Sequence, residues 1–265
     1  MSVAAPPQPL DGLLEGVLPD SSADYGLVLE NLDDGARTAV NDQMTFPSAS
    51  LYKLGVAWVV LRRVDTGSLS LDDQVSIDDE DAIEPEPDGG VAVGETPTVR
   101  EALGAMLTIS SNAAAHALLR VVGRPEFNQE MARIGLSQTR VPEDPDAQAD
   151  SSGALAVTSA ADVAHLLRLV ATSQLLSVQS RTQLEQCLAN ITPPDALRDT
   201  LPAEIDIYDK TGNLDDASNV GALLQSAHDT VILVVIDHGV DPGDARGVIA
   251  RLGQAAYEAL LRPTD

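Results

Sequence analysis

Strand-like alternation of apolar and polar positions is concentrated at the two ends of the chain. "YGLVLENL" (25–32) is rich in strand formers, "DDG" turns the chain, and "ARTAVN" (36–41) returns, which predicts a hairpin. Late in the sequence, "IDIYDKTG" (205–212), "SNVGALLQ" (218–225) and "TVILVVIDH" (230–238) read as three more strands. They are followed by the helical "DARGVIARLGQAAYEALLR" (244–262). Residues 48–190 are mostly helical: "REALGAML", "NAAAHALLRVV", "RPEFNQEMARI", "SAADVAHLLRLVA" and "SVQSRTQLEQCL" all space apolar residues by three and four. A short amphipathic helix is expected around Leu10 to Leu18. Strands from opposite ends must pair to be stable, so the pattern predicts a single α/β (α+β) domain over 1–265. Its α/β lobe comes from about 1–45 and 195–265: an antiparallel sheet flanked by the end helices. Its all-helical lobe comes from about 46–194, with a ligand cleft expected where the two meet.

Composition narrows the possible partners. The 265 residues carry 41 acidic and 16 basic side chains, a formal charge of −25, and only two of the basic residues are lysines, Lys53 and Lys210. Nucleic-acid binding draws its affinity from clusters of Lys and Arg, and none is present. An acidic, lysine-poor surface suits a high-salt cytosol, and a bias toward Ala and Arg codons gives the same pattern. Apolar runs such as "VILVVI" are too short to span a bilayer, and the N-terminal stretch has neither the basic start nor the apolar core of an export signal. The expectation is a soluble, monomeric chain of unassigned compartment. Cys187 is alone, so it has no partner for a disulfide or CxxC site and reads as a buried helix residue. The acidic, proline-bearing segment "DDEDAIEPEPDGG" (78–90) reads as a solvated surface loop.

Both lysines fall in chemically suggestive settings. In "FPSASLYKL", Ser50 precedes Lys53 by three residues, a spacing that puts a hydroxyl and an amine on one helix face. A partly desolvated lysine amine can lose its proton near neutral pH and activate such a hydroxyl. Lys210 opens "KTG" at the end of a predicted strand, where Gly212 allows close approach and Lys210 and Thr211 offer a cation and a hydroxyl to an anion. Between them, "SSN" (Ser110, Ser111, Asn112) precedes a helix and could be a plain N-cap when taken singly.

In this order the three motifs resemble those of the class A β-lactamases and the related low-molecular-weight penicillin-binding proteins, whose set is SxxK, SDN, KTG. The resemblance extends from about Leu10 to Leu261 through "LRRVDTGSLSLDDQVSI", "TVREALGAMLTISSNAAAHALL" and "KTGNLDDASNVGALL". It implies the β-lactamase/DD-peptidase fold with a five-stranded sheet, and acyl transfer without cofactor or metal. Ser50 would be the nucleophile and Lys53 the base. Ser110 would carry the proton to the leaving nitrogen, aided by Lys210. The backbone N–H groups of Ser50 and Asn213 would form the oxyanion hole, and Asn112, Thr211, Gly212 and Arg246 would bind substrate. The implied substrate is a β-lactam or a peptidoglycan-like amide.

The sequence departs from the family pattern at Ser111, which replaces the aspartate of SDN, and in the loop after the SDN helices. There the ExxLN glutamate that activates the deacylating water is missing; Glu143 and Asp146 stand near its expected distance without the asparagine partner. Three outcomes therefore remain open: a β-lactamase, a DD-peptidase or esterase with the same first step, or a sensor that acylates without turnover.

Overall fold

The strand "TVILVVID" is apolar at nearly every position because both of its faces are covered. In the computed structural model, which describes residues 10, 13–14, 17, 24–82, 84–144, 155–172, 175–192 and 195–261, it forms the centre of a five-stranded antiparallel sheet. The strands are β1 (Tyr25–Asn31), β2 (Arg37–Val40), β5 (Asp206–Leu214), β6 (Ala217–Gln225) and β7 (Thr230–Asp237), in the order β2-β1-β7-β6-β5. Side chains alternate along β7: Ile232, Val234 and Ile236 enter one hydrophobic cluster, while Val231, Leu233 and Val235 enter the other. Each cluster supplies the driving force on its own face, at about 25 cal/mol per Å² of apolar surface removed from water.

One face is covered by α8 (Pro242–Ala256), which packs on β6 and β7 together with the short α7 (Ala196–Thr200). Leu10 and Leu14 join this outer cluster, although most of the expected first helix lies outside the described residues. The other face meets α5 (Ala160–Ala171), which contacts β1, β6 and β7. Beyond it lie α1 (Tyr52–Asp65), α2 (Val99–Thr108), α3 (Asn112–Val122), α4 (Arg124–Arg133) and α6 (Val178–Ala189). From Tyr52 to Leu61 every residue of α1 is buried, so it is the central helix of the group, apolar on all sides as such a position demands.

Two features were absent from the sequence pattern. A two-residue strand pair, β3 (Phe46–Pro47) with β4 (Val157–Thr158), clamps the chain just ahead of α1. The short α7 was also unforeseen; Asp195 caps it by accepting from the N–H groups of Leu197 and Arg198. Cys187 is buried, as its helical setting implied.

The sheet seats on α5 through Gly221 of β6, where a Cβ would stand 2.7 Å from Val163 Cγ1. Because β-branched valine cannot turn that methyl away cheaply, Gly221→Ala is expected to destabilise the fold by about 1–3 kcal/mol through overpacking. At roughly 2–4 °C per kcal/mol for a chain near this size, calorimetry should record a fall of several degrees in Tm; an unchanged Tm would show that α5 slides freely on the sheet.

Candidate active site

Ser50 lies outside the α-helical turn expected for it. Residues 49–51 form a single 3-10 turn ahead of α1, closed by the Leu51 N–H donating to Ser48 O at 3.0 Å. Ala49 holds a φ of +45°, a left-handed conformation that costs a residue with a Cβ of order 1–3 kcal/mol. Structure on both sides enforces it. Upstream, the β3–β4 pair and the Ser48 N–H to Ala156 O bond (2.9 Å) fix the chain; downstream, α1 is locked in the core.

The third wall is β5. At Gly212 a Cβ would meet Ala49 Cβ at 2.9 Å, Ser50 N at 3.0 Å and Ser48 O at 3.2 Å, so only glycine lets the strand lie against the Ser50 turn. This contact sets Lys210 and Thr211 beside residues 160 positions earlier in the chain.

The hydroxyl of Ser110 joins the site. It donates to Ser50 Oγ at 3.0 Å and accepts from Lys53 Nζ at 3.2 Å and from Lys210 Nζ at 3.0 Å. A hydroxyl has one proton to give and two lone pairs to fill, so its capacity is complete. Ser110 also has a positive φ, +61°, which turns its carbonyl as well as its side chain toward Lys53 (2.7 Å). No hydrogen bond among the described residues joins Lys53 directly to Ser50. The expected side-by-side contact of hydroxyl and amine is thus replaced by a connection through Ser110, because the 3-10 turn rotates Ser50 off the helical register.

Both amines are buried, Lys53 at 0% and Lys210 at 1% exposure. Burial pulls Lys53 down to about 8 while the Glu84 and Glu86 carboxylates oppose the shift. Burial, reinforced by the Lys53 charge and opposed by Asp209, pulls Lys210 down to about 7. Lys53 donates also to Asn112 Oδ1 (2.7 Å), and Lys210 to Thr211 O (2.8 Å).

Ser111 and Asn112 divide the labour of the "SSN" motif. Ser111 is the N-cap of α3, accepting from Ala114 N–H at 3.2 Å, so the capping reading holds for that residue alone. Asn112 binds Lys53 with its oxygen and Pro85 O with its Nδ2 (2.8 Å).

That last contact corrects the expectation for residues 78–90. The loop is docked on the site. Glu86 accepts from the N–H groups of Asn112 and Ala113, both at 3.0 Å, and from the Ser111 hydroxyl, neutralising the free donors at the positive end of α3. Glu84 Oε2 lies 3.3 Å from His116 Nε2. Arg120 ties the loop's start down through Asp81 (2.7 Å) and Asp78 (3.1 Å). The available sequence signal was the pair of helix-start N–H groups that a single N-cap serine at "SSN" leaves free, which a carboxylate of the "EPEP" segment can accept.

A cleft of about 420 Å³ runs from Ser50 past Lys210, Thr211 and Asn213 to Arg246 at the start of α8. Of the proposed carboxylates, Glu143 is exposed and lines neither this cleft nor the cavity on the other side of Ser50, and Asp146 lies outside the described residues. Among the described residues no cluster of His, Cys, Asp and Glu could hold a metal ion, and no helix is long and apolar enough to cross a membrane.

Comparison with solved structures gives the same arrangement of elements. A point mutant of PBP-A, solved as its acyl-enzyme with penicillin G, is 24% identical, covers 96% of this chain and 98% of its own, and superposes with a TM-score of 0.85. A β-lactamase from Xanthomonas campestris pv. campestris is 28% identical over 88% of this chain and 91% of its own, with a TM-score of 0.78. A variant of the class A β-lactamase of the last common ancestor of Gram-negative bacteria is 31% identical over 89% of this chain and 92% of its own, with a TM-score of 0.77. The profile described as "Beta-lactamase enzyme family" matches residues 10–260, nearly the whole chain, and the protein belongs to that family.

Proposed function

We propose that the protein is a serine hydrolase of the class A type that opens β-lactam amides through an acyl-Ser50 intermediate, acting as one catalytic domain whose sheet half and helical half each supply one wall of the cleft. The observation that carries this reading is the Ser110 hydroxyl bonded at once to Ser50 Oγ and to two buried amines. When one amine is neutral, the chain of bonds reverses: Ser50 gives its proton to Ser110, and Ser110 gives its own to the amine. Ser50 Oγ then attacks the amide carbonyl, the C–N bond breaks, and the proton returns through Ser110 to the leaving nitrogen. Backbone N–H groups of Ser50 and Asn213 hold the oxyanion, a device whose loss costs about a hundredfold or more. Asn112 orients the substrate's side-chain amide, while Thr211 and Arg246 take its carboxylate. The chemistry calls for no metal or organic cofactor.

A second reading, a penicillin-binding protein-like DD-peptidase or esterase, or a sensor that acylates without turnover, is favoured by the missing ExxLN glutamate and the exposure of Glu143. Incubation with a chromogenic cephalosporin, following colour and intact mass together, separates the readings. Repeated turnover is expected; one stable adduct would favour a penicillin-binding protein or sensor, and neither colour nor adduct would leave an esterase or a degenerate site. Ser50→Ala is expected to abolish labelling, and Lys53→Arg to slow it at least a hundredfold, because a planar guanidinium cannot reproduce the buried amine's bonds to the Ser110 carbonyl, the Ser110 hydroxyl and Asn112.

The acylation rate should rise with pH. Both amines lose protons more readily than a free lysine, at about 8 for Lys53 and about 7 for Lys210, so their neutral forms accumulate as pH climbs through that window. As a coupled pair they should give an apparent pKa between these values and a gain on the order of tenfold or more from pH 6 to 9. A rate flat across that range would remove the lysines from the proton path. Gly212→Ala should push the nucleophile turn off β5 and lower the acylation rate by about a hundredfold, the usual result of an ångström-scale misplacement, while circular dichroism stays unchanged.

A further inference from the structure

Ser50 stands at the junction of two spaces. The cleft described above lies on one side; on the other is a cavity of about 620 Å³ lined by Ser50, Tyr52, Glu84, Asn112 and Asn213. We infer that Glu84, held in place by His116, is the carboxylate that activates the water releasing the acyl group from Ser50, and that it enters from the loop at 78–90 in place of the missing ExxLN glutamate. This inference rests on the acyl-transfer reading above.

The placement of Glu84 is enforced on both sides. Behind it, Arg120 holds Asp81 and Asp78; ahead of it, Pro85 O accepts from Asn112, and Glu86 caps α3. His116 is buried at 6% exposure and meets Glu84 Oε2 at 3.3 Å, while the Glu84 side chain keeps 33% exposure, so the carboxylate reaches the cavity rather than disappearing into the core. Its charge acts on both Lys53 and Tyr52, which puts it within electrostatic reach of the first turn of α1. Tyr52 lines the same cavity, and its buried hydroxyl has no hydrogen-bond partner among the described residues. A substrate acylated in the cleft therefore leaves the opposite side of the Ser50 ester facing a space whose described lining carries the carboxylates of Glu84, Asp215 and Asp216, and of these Glu84 is the one whose charge acts on Lys53 and Tyr52. Glu86 is not available for this role, since both its oxygens are engaged at α3.

The step balances without any further reactant. Water gives a proton to Glu84 as its oxygen forms a bond to the acyl carbon. The bond from that carbon to Ser50 Oγ breaks, and Ser50 takes a proton from Ser110, which is resupplied by a lysine ammonium. Glu84 loses its proton through its exposed edge, and the amine regains one from solvent.

Pre-steady-state kinetics with a chromogenic cephalosporin, combined with intact mass, tests this. In Glu84→Gln the burst of one colour equivalent per enzyme should remain within a few-fold of the parent rate. Steady turnover should fall about 10²–10⁴-fold, the usual worth of a positioned general base, and the acyl-Ser50 adduct should accumulate. In Glu84→Ala, added formate should restore part of the turnover, an effect a purely structural role for Glu84 would not produce. Wild-type turnover in Glu84→Gln, or absence of formate rescue in a folded Glu84→Ala that still acylates, overturns the inference and leaves acyl transfer intact. A parent enzyme that forms a permanent adduct also overturns it, and a parent that gives neither colour nor adduct overturns the β-lactamase reading as well.

Discussion

Everything in the site depends on one hydroxyl with no unused capacity. Ser110 donates to Ser50 and accepts from Lys53 and Lys210, and none of these three groups can shift without leaving a buried donor or acceptor unpaired. Burying two amines side by side is costly unless each has partners, and the protein provides them from rigid sources: the Ser110 carbonyl, the Asn112 amide and the Thr211 carbonyl. Arginine, which supplies nearly all other basic charge in the chain, could not serve here. Its planar guanidinium stays charged, whereas the site needs a cation that can become neutral.

Holding that hydroxyl in place requires the whole fold. Ser110 precedes α3, Ser50 precedes α1, and Lys210 sits on the edge strand β5. Strands from both ends of the chain meet where β1 pairs with β7, and on the far edge of the same sheet β5 lies against the Ser50 turn. Strain is stored at the same place. Ala49 and Ser110 both adopt left-handed backbone angles, each next to an atom of the proton path, and the surrounding packing maintains them.

The sequence made the strands and helices legible because their periods were clean: the two-faced alternation of β7 and the three–four spacing of the central helices survive into the structure within a residue or two. The convergence of Ser50, Lys53, Ser110 and Lys210 was legible from three short motifs. The way they touch was not. Spacing of three residues suggested direct contact between Ser50 and Lys53, but that inference assumed an α-helical turn, and positive φ at Ala49 cannot be read from an alanine. The docking of residues 84–86 was hidden for a different reason. A run of carboxylates and prolines has the composition of a solvated loop, and only tertiary structure supplies the helix end that gives Glu86 its partners and the histidine that gives Glu84 its own.

That loop also explains an asymmetry between the two amines. Burial alone would depress both. Lys53 has Glu84 and Glu86 nearby, which favour its ammonium form, while Lys210 feels the Lys53 charge, which disfavours it, against the opposing charge of Asp209. Both amines are drawn down toward neutrality, Lys53 to about 8 and Lys210 to about 7, and they titrate as a pair. Since both reach Ser50 through the same Ser110 hydroxyl, the proton leaving Ser50 need not be assigned to one lysine in advance. In the proposed mechanism it goes to whichever amine is neutral, while the carboxylates of the acidic loop favour the ammonium form of Lys53, whose bonds to Asn112 and the Ser110 carbonyl hold it in place.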